Sequence, residues 1–215
     1  MLAHGAGSTG PAARRLLGLE GRPDIITVED RTGDIDHVIA GIDSVVRAHP
    51  DCVEIIGVSL GAHAAARWAA GRDEGPALTF ILPAWTGNAG RTADATAHAA
   101  QRIRDVGIAA TLEGLTEAAS HPGIVELLGV AWDRYTQEQL HACLATAACG
   151  RGPTCHELDE LRLPSRIIGW YGDAFHPAST VVQWSRRVAG ARVSLAARPS
   201  IPLLQAAMHS VNWPA

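Results

Sequence analysis

Cys52-Val-Glu-Ile-Ile-Gly-Val-Ser-Leu-Gly-Ala-His-Ala-Ala-Ala-Arg-Trp-Ala-Ala-Gly71 is the stretch whose reading decides the fold. Its first half is a short apolar run of strand length, and its second half is an alanine-rich helix pattern. Between them stands Gly57-Val58-Ser59-Leu60-Gly61, a G-x-S-x-G. A strand that turns straight into a helix leaves no room for ordinary side chains at the crossing, so glycines are expected at 57 and 61. Ser59 then sits at the apex in a strained backbone conformation with its hydroxyl lifted clear of the sheet. The helix behind it aims its N-terminal dipole and the free N–H of Leu60 at any negative charge near Ser59. The plainer alternative makes Ser59 only a helix N-cap; the strand before it and the helix after it favour the nucleophile.

Working outward, the pattern repeats. Met1 to Gly10 is a very short apolar piece running into a glycine-rich loop, followed by a helix from Pro11; glycines there let backbone N–H groups converge on an anion. Asp24 to Val28 reads as a strand. Val38, Ile39, Ile42, Val45 and Val46 have helical spacing. Ala77 to Leu82 is another strand, closed by Pro83. Strand, helix, strand, helix, strand predicts a parallel sheet with crossover helices. From Trp85 to Leu163 the alternation stops, and helical patterns occupy 92–105, 110–119, 123–131 and 136–148. Arg166 to Tyr171 resumes the sheet, Ala178 to Ala189 is an amphipathic helix, and Arg192 to Ala196 is the last strand. The fold class is therefore α/β, a mostly parallel sheet of about six strands flanked by helices. Residues 1–84 and 164–215 form its core, and 85–163 a helical cap over the carboxyl edge, where ligands bind in open α/β folds.

The totals restrict partners. The 215 residues, 47% hydrophobic, suffice for one core with an insertion. The formal net charge is −4, and no basic patch points to nucleic acid. All 18 basic residues are arginines, a composition expected of a GC-rich bacterial gene. No apolar run approaches the roughly 20 residues of a membrane helix, and the start has no charged-then-apolar leader. A cytoplasmic location with reduced thiols is the expectation. His141, Cys143, Cys149, Cys155 and His156 lack the close cysteine pair of structural zinc sites, so no metal is expected there.

A serine hydroxyl needs a base to take its proton and a carboxylate to orient that base. Asp173 follows the strand ending at Tyr171, and His209 follows the last strand. The order Ser59, Asp173, His209 is that of α/β-hydrolases. At this point the chain resembles the α/β-hydrolase fold serine hydrolases. The resemblance rests on His4-Gly5-Ala6-Gly7, Asp30-Arg31-Thr32-Gly33, Gly57 to Gly61, Gly172-Asp173-Ala174-Phe175-His176-Pro177, and His209. It implies an oxyanion hole from the N–H of Leu60 and one N–H of the His4-to-Gly7 loop, Ala6, each donor worth about 3 kcal/mol in the transition state. It also implies that His4 braces that loop. Three departures stand out. The first two strands of the family's eight are absent, which leaves Ile25–Val28 as a bare apolar edge unless a second subunit covers it or the natural chain starts upstream. The chain ends just after His209. The match at Asp30-Arg31-Thr32-Gly33 is loose.

His176 lies three positions after Asp173, but Pro177 reads as the start of a helix, and His209 is the favoured base. Asp30 is the second choice of acid. His63 reads as a packing or surface residue. Gly5, Gly7, Trp85 and Trp132 are candidate substrate contacts, the tryptophans with core packing as the equal alternative. The expected function is hydrolysis of a small carboxylic ester or thioester through an acyl-enzyme, with no cofactor. The alternatives are a non-catalytic ligand- or partner-binding protein, or the same triad used for acyl transfer, amide cleavage or carbon–carbon cleavage.

Overall fold

The computed structural model describes residues 1–118 and 122–209. Its sheet has six strands: β1 (Leu2–Ala3), β2 (Thr27–Val28), β3 (Glu54–Val58), β4 (Ala77–Ile81), β5 (Ser165–Trp170) and β6 (Arg192–Ala196). They lie in the order β2-β1-β3-β4-β5-β6, and every pairing is parallel. The sequence reading of a mostly parallel sheet of about six strands is met by six strands among the described residues, all parallel.

Alternate residues along each strand serve different layers, as the pleat requires. Ile55, Leu78, Phe80 and Ile167 pack on α2 (Ile35–Ala48), α3 (Leu60–Ala69) and α8 (Ala178–Arg187). Ile56, Ile81, Ile168 and Trp170 pack on α1 (Gly10–Leu17) and α9 (Ile201–Met208). Each such aliphatic side chain withdrawn from water contributes about 1.5–3 kcal/mol. The order runs outward from β1 to β2 in one direction and from β3 to β4 in the other, so β1 hands over to α1 on one face and β3 to α3 on the other. Both loops lie at the carboxyl rim, where open α/β sheets bind ligands.

The opposite rim is closed by a buried polar group. The Arg166 guanidinium donates to Thr79 Oγ1 at 2.6 Å, to Glu54 Oε1 at 3.0 Å and to the Met208 carbonyl at 2.9 Å. It thereby ties the end of α9 to the starts of β3 and β5. β2 is an edge strand of the sheet, as the sequence reading expected. Ile25 and Val28 are buried. Arg14 reaches from α1 to the carbonyls of Arg22 and Ile25 and to Thr27 Oγ1. A charged side chain across the outward carbonyls is one way to blunt a sheet edge.

Between β4 and β5 the described residues form helices and no strand: α4 (Asp94–Ala118, broken at Gly107), α5 (Pro122–Trp132), α6 (Gln137–Cys149) and α7 (Cys155–Asp159). A capping box starts α6, with Thr136 and Gln139 bonding each other's backbone N–H. Helix α6 presses on the core so closely that a Cβ on Gly33 would lie 2.0 Å from the Cys143 carbonyl oxygen. Gly33 has φ of +72°, so both its conformation and that contact require glycine. Leu158 of α7 is buried with α3 and α8 in the core's helical layer. None of the described helices is long and apolar enough to cross a membrane.

Candidate active site

Ser59 joins β3 to α3 with φ of +52° and ψ of −112°, a conformation that costs about 1–3 kcal/mol and persists only where its surroundings enforce it. The enforcement is visible on both sides. A Cβ on Gly57 would lie 2.4 Å from the Gly61 carbonyl oxygen, and one on Gly61 would lie 2.1 Å from the Ala3 carbonyl oxygen. The first glycine lets strand meet helix, and the second lets the helix meet β1. The Ser59 N–H is fixed to the Ile81 carbonyl at 2.8 Å.

The hydroxyl faces an imidazole, and it is that of His176. His176 Nε2 lies 2.9 Å from Ser59 Oγ, and His176 Nδ1 lies 3.0 Å from Asp173 Oδ2. With Nδ1 as the N–H donor to the carboxylate, Nε2 presents its lone pair to the hydroxyl. Asp173 is held by its own loop. Its Oδ1 accepts the Phe175 N–H at 2.8 Å and the His176 N–H at 3.2 Å, and its Oδ2 accepts the Trp170 indole N–H at 2.7 Å. Burial alone would raise the pKa of this carboxyl. The His176 charge and hydrogen bond, with the Trp170 and Phe175 donors, outweigh it and hold Asp173 well below the ordinary carboxylate range.

His209 is elsewhere, and this corrects the sequence reading. It follows α9, is exposed, and lines a cavity with Met1, Glu54 and Arg166 where the strands begin. Ser59 follows the last residue of β3, so the five residues of that strand separate the two rims by about 16 Å. The cause is α9: it runs back along the sheet, and its anchor to Arg166 fixes its end at the far rim. The loop between β6 and α9 holds Ala197, Arg198, Pro199 and Ser200, with neither an imidazole nor a carboxylate. The signal that could have identified His176 was its spacing. An aspartate that collects the N–H groups two and three residues on makes a tight local turn, which folds residue i+3 back over the carboxylate. Pro177 is indeed the residue from which α8 starts, and that start stands next to His176 without displacing it.

The other expected contacts fall around Ser59 as follows. A Cβ on Gly5 would lie 3.1 Å from Ser59 Cβ, so the His4-to-Gly7 loop passes directly beside Ser59. Leu60 opens α3, so its N–H has no intrahelical acceptor, and among the described residues neither it nor the Ala6 N–H meets a protein acceptor. His4 is buried, with Nδ1 2.9 Å from the Gly5 carbonyl and Nε2 accepting the Asp30 N–H at 3.2 Å. Glu29 Oε2 also comes within 3.3 Å of that nitrogen. The buried Asp30 N–H has no other acceptor, whereas Glu29 takes the Gly10 N–H, so we assign His4 Nε2 as the acceptor. Asp30 spends its carboxylate on Thr32, Gly33 and His37.

Gly7 donates its N–H to Cys143 Sγ at 3.4 Å and is walled in by Trp132, Leu140 and Leu144. Burial pushes the Cys143 thiol up to about 11. Trp132 Nε1 is buried beside Gly7 and has no hydrogen-bond partner among the described residues. Trp85 is committed to packing, with its indole N–H on the Gly150 carbonyl at 3.2 Å and its ring edge-on to His63 at 4.6 Å. His63, one helical turn beyond Ser59, is fully buried and accepts the N–H groups of Ala84 and Trp85 on Nε2. Burial, with the neighbouring His176 charge, lowers its pKa to about 3, so it stays neutral. Among the described residues no three His, Cys, Asp or Glu side chains are grouped to hold a metal ion.

No protein-family model and no curated protein sequence matches the chain. Solved structures do. The enol-lactonase from Burkholderia xenovorans superposes with a TM-score of 0.71 at 14% identity, covering 96% of this chain and 85% of that one. MenH from S. aureus gives 0.70 at 14% identity, over 96% and 88%. A thermophilic esterase from Thermogutta terrifontis gives 0.69 at 15% identity, over 95% and 83%. At such identities the likeness is one of fold, and the fold is that of the α/β-hydrolases.

Proposed function

We propose that the protein is a serine hydrolase acting on a small carboxylic ester or thioester. One observation carries the reading: an unbroken line of hydrogen bonds runs from Ser59 Oγ through the His176 ring to Asp173. It begins at a half-buried serine held in a strained conformation at the head of a helix. A nucleophile, a base within reach and a group orienting that base are the parts acyl transfer to a serine requires.

In this mechanism His176 Nε2 takes the hydroxyl proton as Ser59 Oγ bonds to the substrate carbonyl carbon. The resulting oxyanion accepts the free N–H groups of Leu60 and Ala6. Collapse expels the alcohol or thiol, which leaves with the proton from His176, and an acyl-Ser59 ester remains. Water then repeats the sequence, giving its proton to His176 and releasing the acid. Asp173 remains ionised throughout and stabilises the imidazolium. Trp132, Leu140 and Leu144, pressed against Gly7, form an apolar wall beside the oxyanion loop, and this supports a small apolar acyl group. The fold neighbours described as an esterase and an enol-lactonase lend analogy to ester chemistry.

The test is labelling by a fluorophosphonate followed by a panel of short esters and acyl thioesters. The reading expects labelling that disappears in Ser59→Ala. A folded protein that takes no label would instead be a binding protein built on this fold.

A further inference from the structure

Trp170 is the last residue of β5 and is 1% exposed. Its indole N–H points at Asp173 Oδ2, the same oxygen that receives His176 Nδ1. The 2.7 Å contact to the indole is shorter than the 3.0 Å contact to the imidazole. An indole nitrogen only donates, and its ring is rigid and packed among Ile81, Ile168 and Leu204. It therefore cannot turn away or compete for the histidine. The remaining oxygen, Oδ1, is occupied by two backbone N–H groups of the loop. One carboxylate thus accepts four donors, of which only the indole comes from the sheet and not from the turn itself.

We propose that Trp170 is a positioning residue: its N–H locks the Asp173 carboxylate to the sheet and limits the negative charge that reaches His176. This rests on the triad reading above, with His176 as the base. Without the indole, the Asp173 carboxylate would be held only by its own turn. More of the carboxylate's charge would fall on the imidazole, favouring the imidazolium. The other ionisable group facing His176 is His63, which is neutral and unchanged by the substitution. A merely structural indole would instead be one that finds an acceptor because buried N–H groups must. Trp184 supplies that comparison: it is fully buried in α8, and its N–H goes to Thr86 Oγ1 at 3.0 Å, away from the dyad.

The experiment follows the titration of the His176 ring by NMR in the full chain, for the parent protein, Trp170→Phe and Trp184→Phe. The expected result is a midpoint raised by about 0.5 pH or more in Trp170→Phe and unmoved in Trp184→Phe. With an ester substrate, kcat should fall about tenfold in Trp170→Phe with KM within about twofold, because the lost contact acts on the base and not on substrate binding. A midpoint in Trp170→Phe equal to that of the parent, or moved equally in Trp184→Phe, overturns the proposal. If Trp170→Phe does not fold, the benzothiophene analogue at 170, which replaces the N–H with sulfur at nearly the same shape, carries the same measurement. The two readings fail separately. A protein that shows the expected midpoints but takes no label at Ser59 keeps Trp170 in this role and loses the hydrolase assignment.

Discussion

The segments that follow the last two strands carry opposite loads. After β5, six residues supply both the carboxylate and the imidazole, joined by a turn that Asp173 closes with its own side chain. After β6, the chain supplies only a helix start, in which Ser200 Oγ accepts the Leu203 N–H. The lesson concerns precision. Acid and base placed on two loops need two strands in register, whereas acid and base three residues apart need one strand and one turn. The β6 segment is then left to close the far rim through Met208 and Arg166.

The sharpest way to break this contrast is to disturb each segment equally. A glycine inserted between Ala174 and Phe175 shifts His176 out of the Asp173 turn and should lower kcat about 10³-fold or more. A glycine inserted between Ala197 and Arg198 should leave kcat within about threefold. Asp173→Asn keeps the shape of the turn but offers His176 the wrong partner, and should cost about 10³- to 10⁴-fold in kcat with little change in KM.

A smaller effect concerns the ground beneath the productive turn. His63 titrates near 6.5 when unfolded and near 3 when folded, so below pH 6.5 the unfolded chain binds the proton and the folded one does not. Stability should therefore fall as pH drops from 6.5 towards 3, by about 2–3 kcal/mol at pH 4.5 from this group. His63→Gln, which still offers an acceptor, should flatten that part of the profile in urea unfolding between pH 7 and 4.5. The smallest effect belongs to the β6 segment: Ser200→Ala should cost about 0.5–1 kcal/mol of stability through the lost cap and leave kcat unchanged.

Much of this was legible in the chain itself. Apolar runs at Glu54–Val58 and Ala77–Ile81, with glycines at 57 and 61, pointed to a parallel sheet and its elbow. The helical spans between Trp85 and Leu163 also fall where their periodicity placed them, down to the break at Gly107. Asp173 was legible because it stands just past a strand end. The imidazole that meets Ser59 was not, for two physical reasons. Chain order favours a histidine after the last strand, and nothing in that order shows that a helix will carry residue 209 to the wrong rim. Ser200 and Pro202 do mark a helix start, and eight helical residues rise about 12 Å, so the displacement could have been reckoned. The edge at β2 was legible, but the contact from Arg14 was not, because Arg14 is distant in pattern from Ile25 and gives no local sign of reaching it.

The central claim is that His176, and not His209, activates Ser59. The most direct measurement is the second-order rate of fluorophosphonate modification of Ser59 in His176→Ala and His209→Ala. The account predicts a loss of about 10³-fold or more in the first and a rate within about twofold of the parent in the second. A slow His209→Ala beside a fast His176→Ala would contradict it.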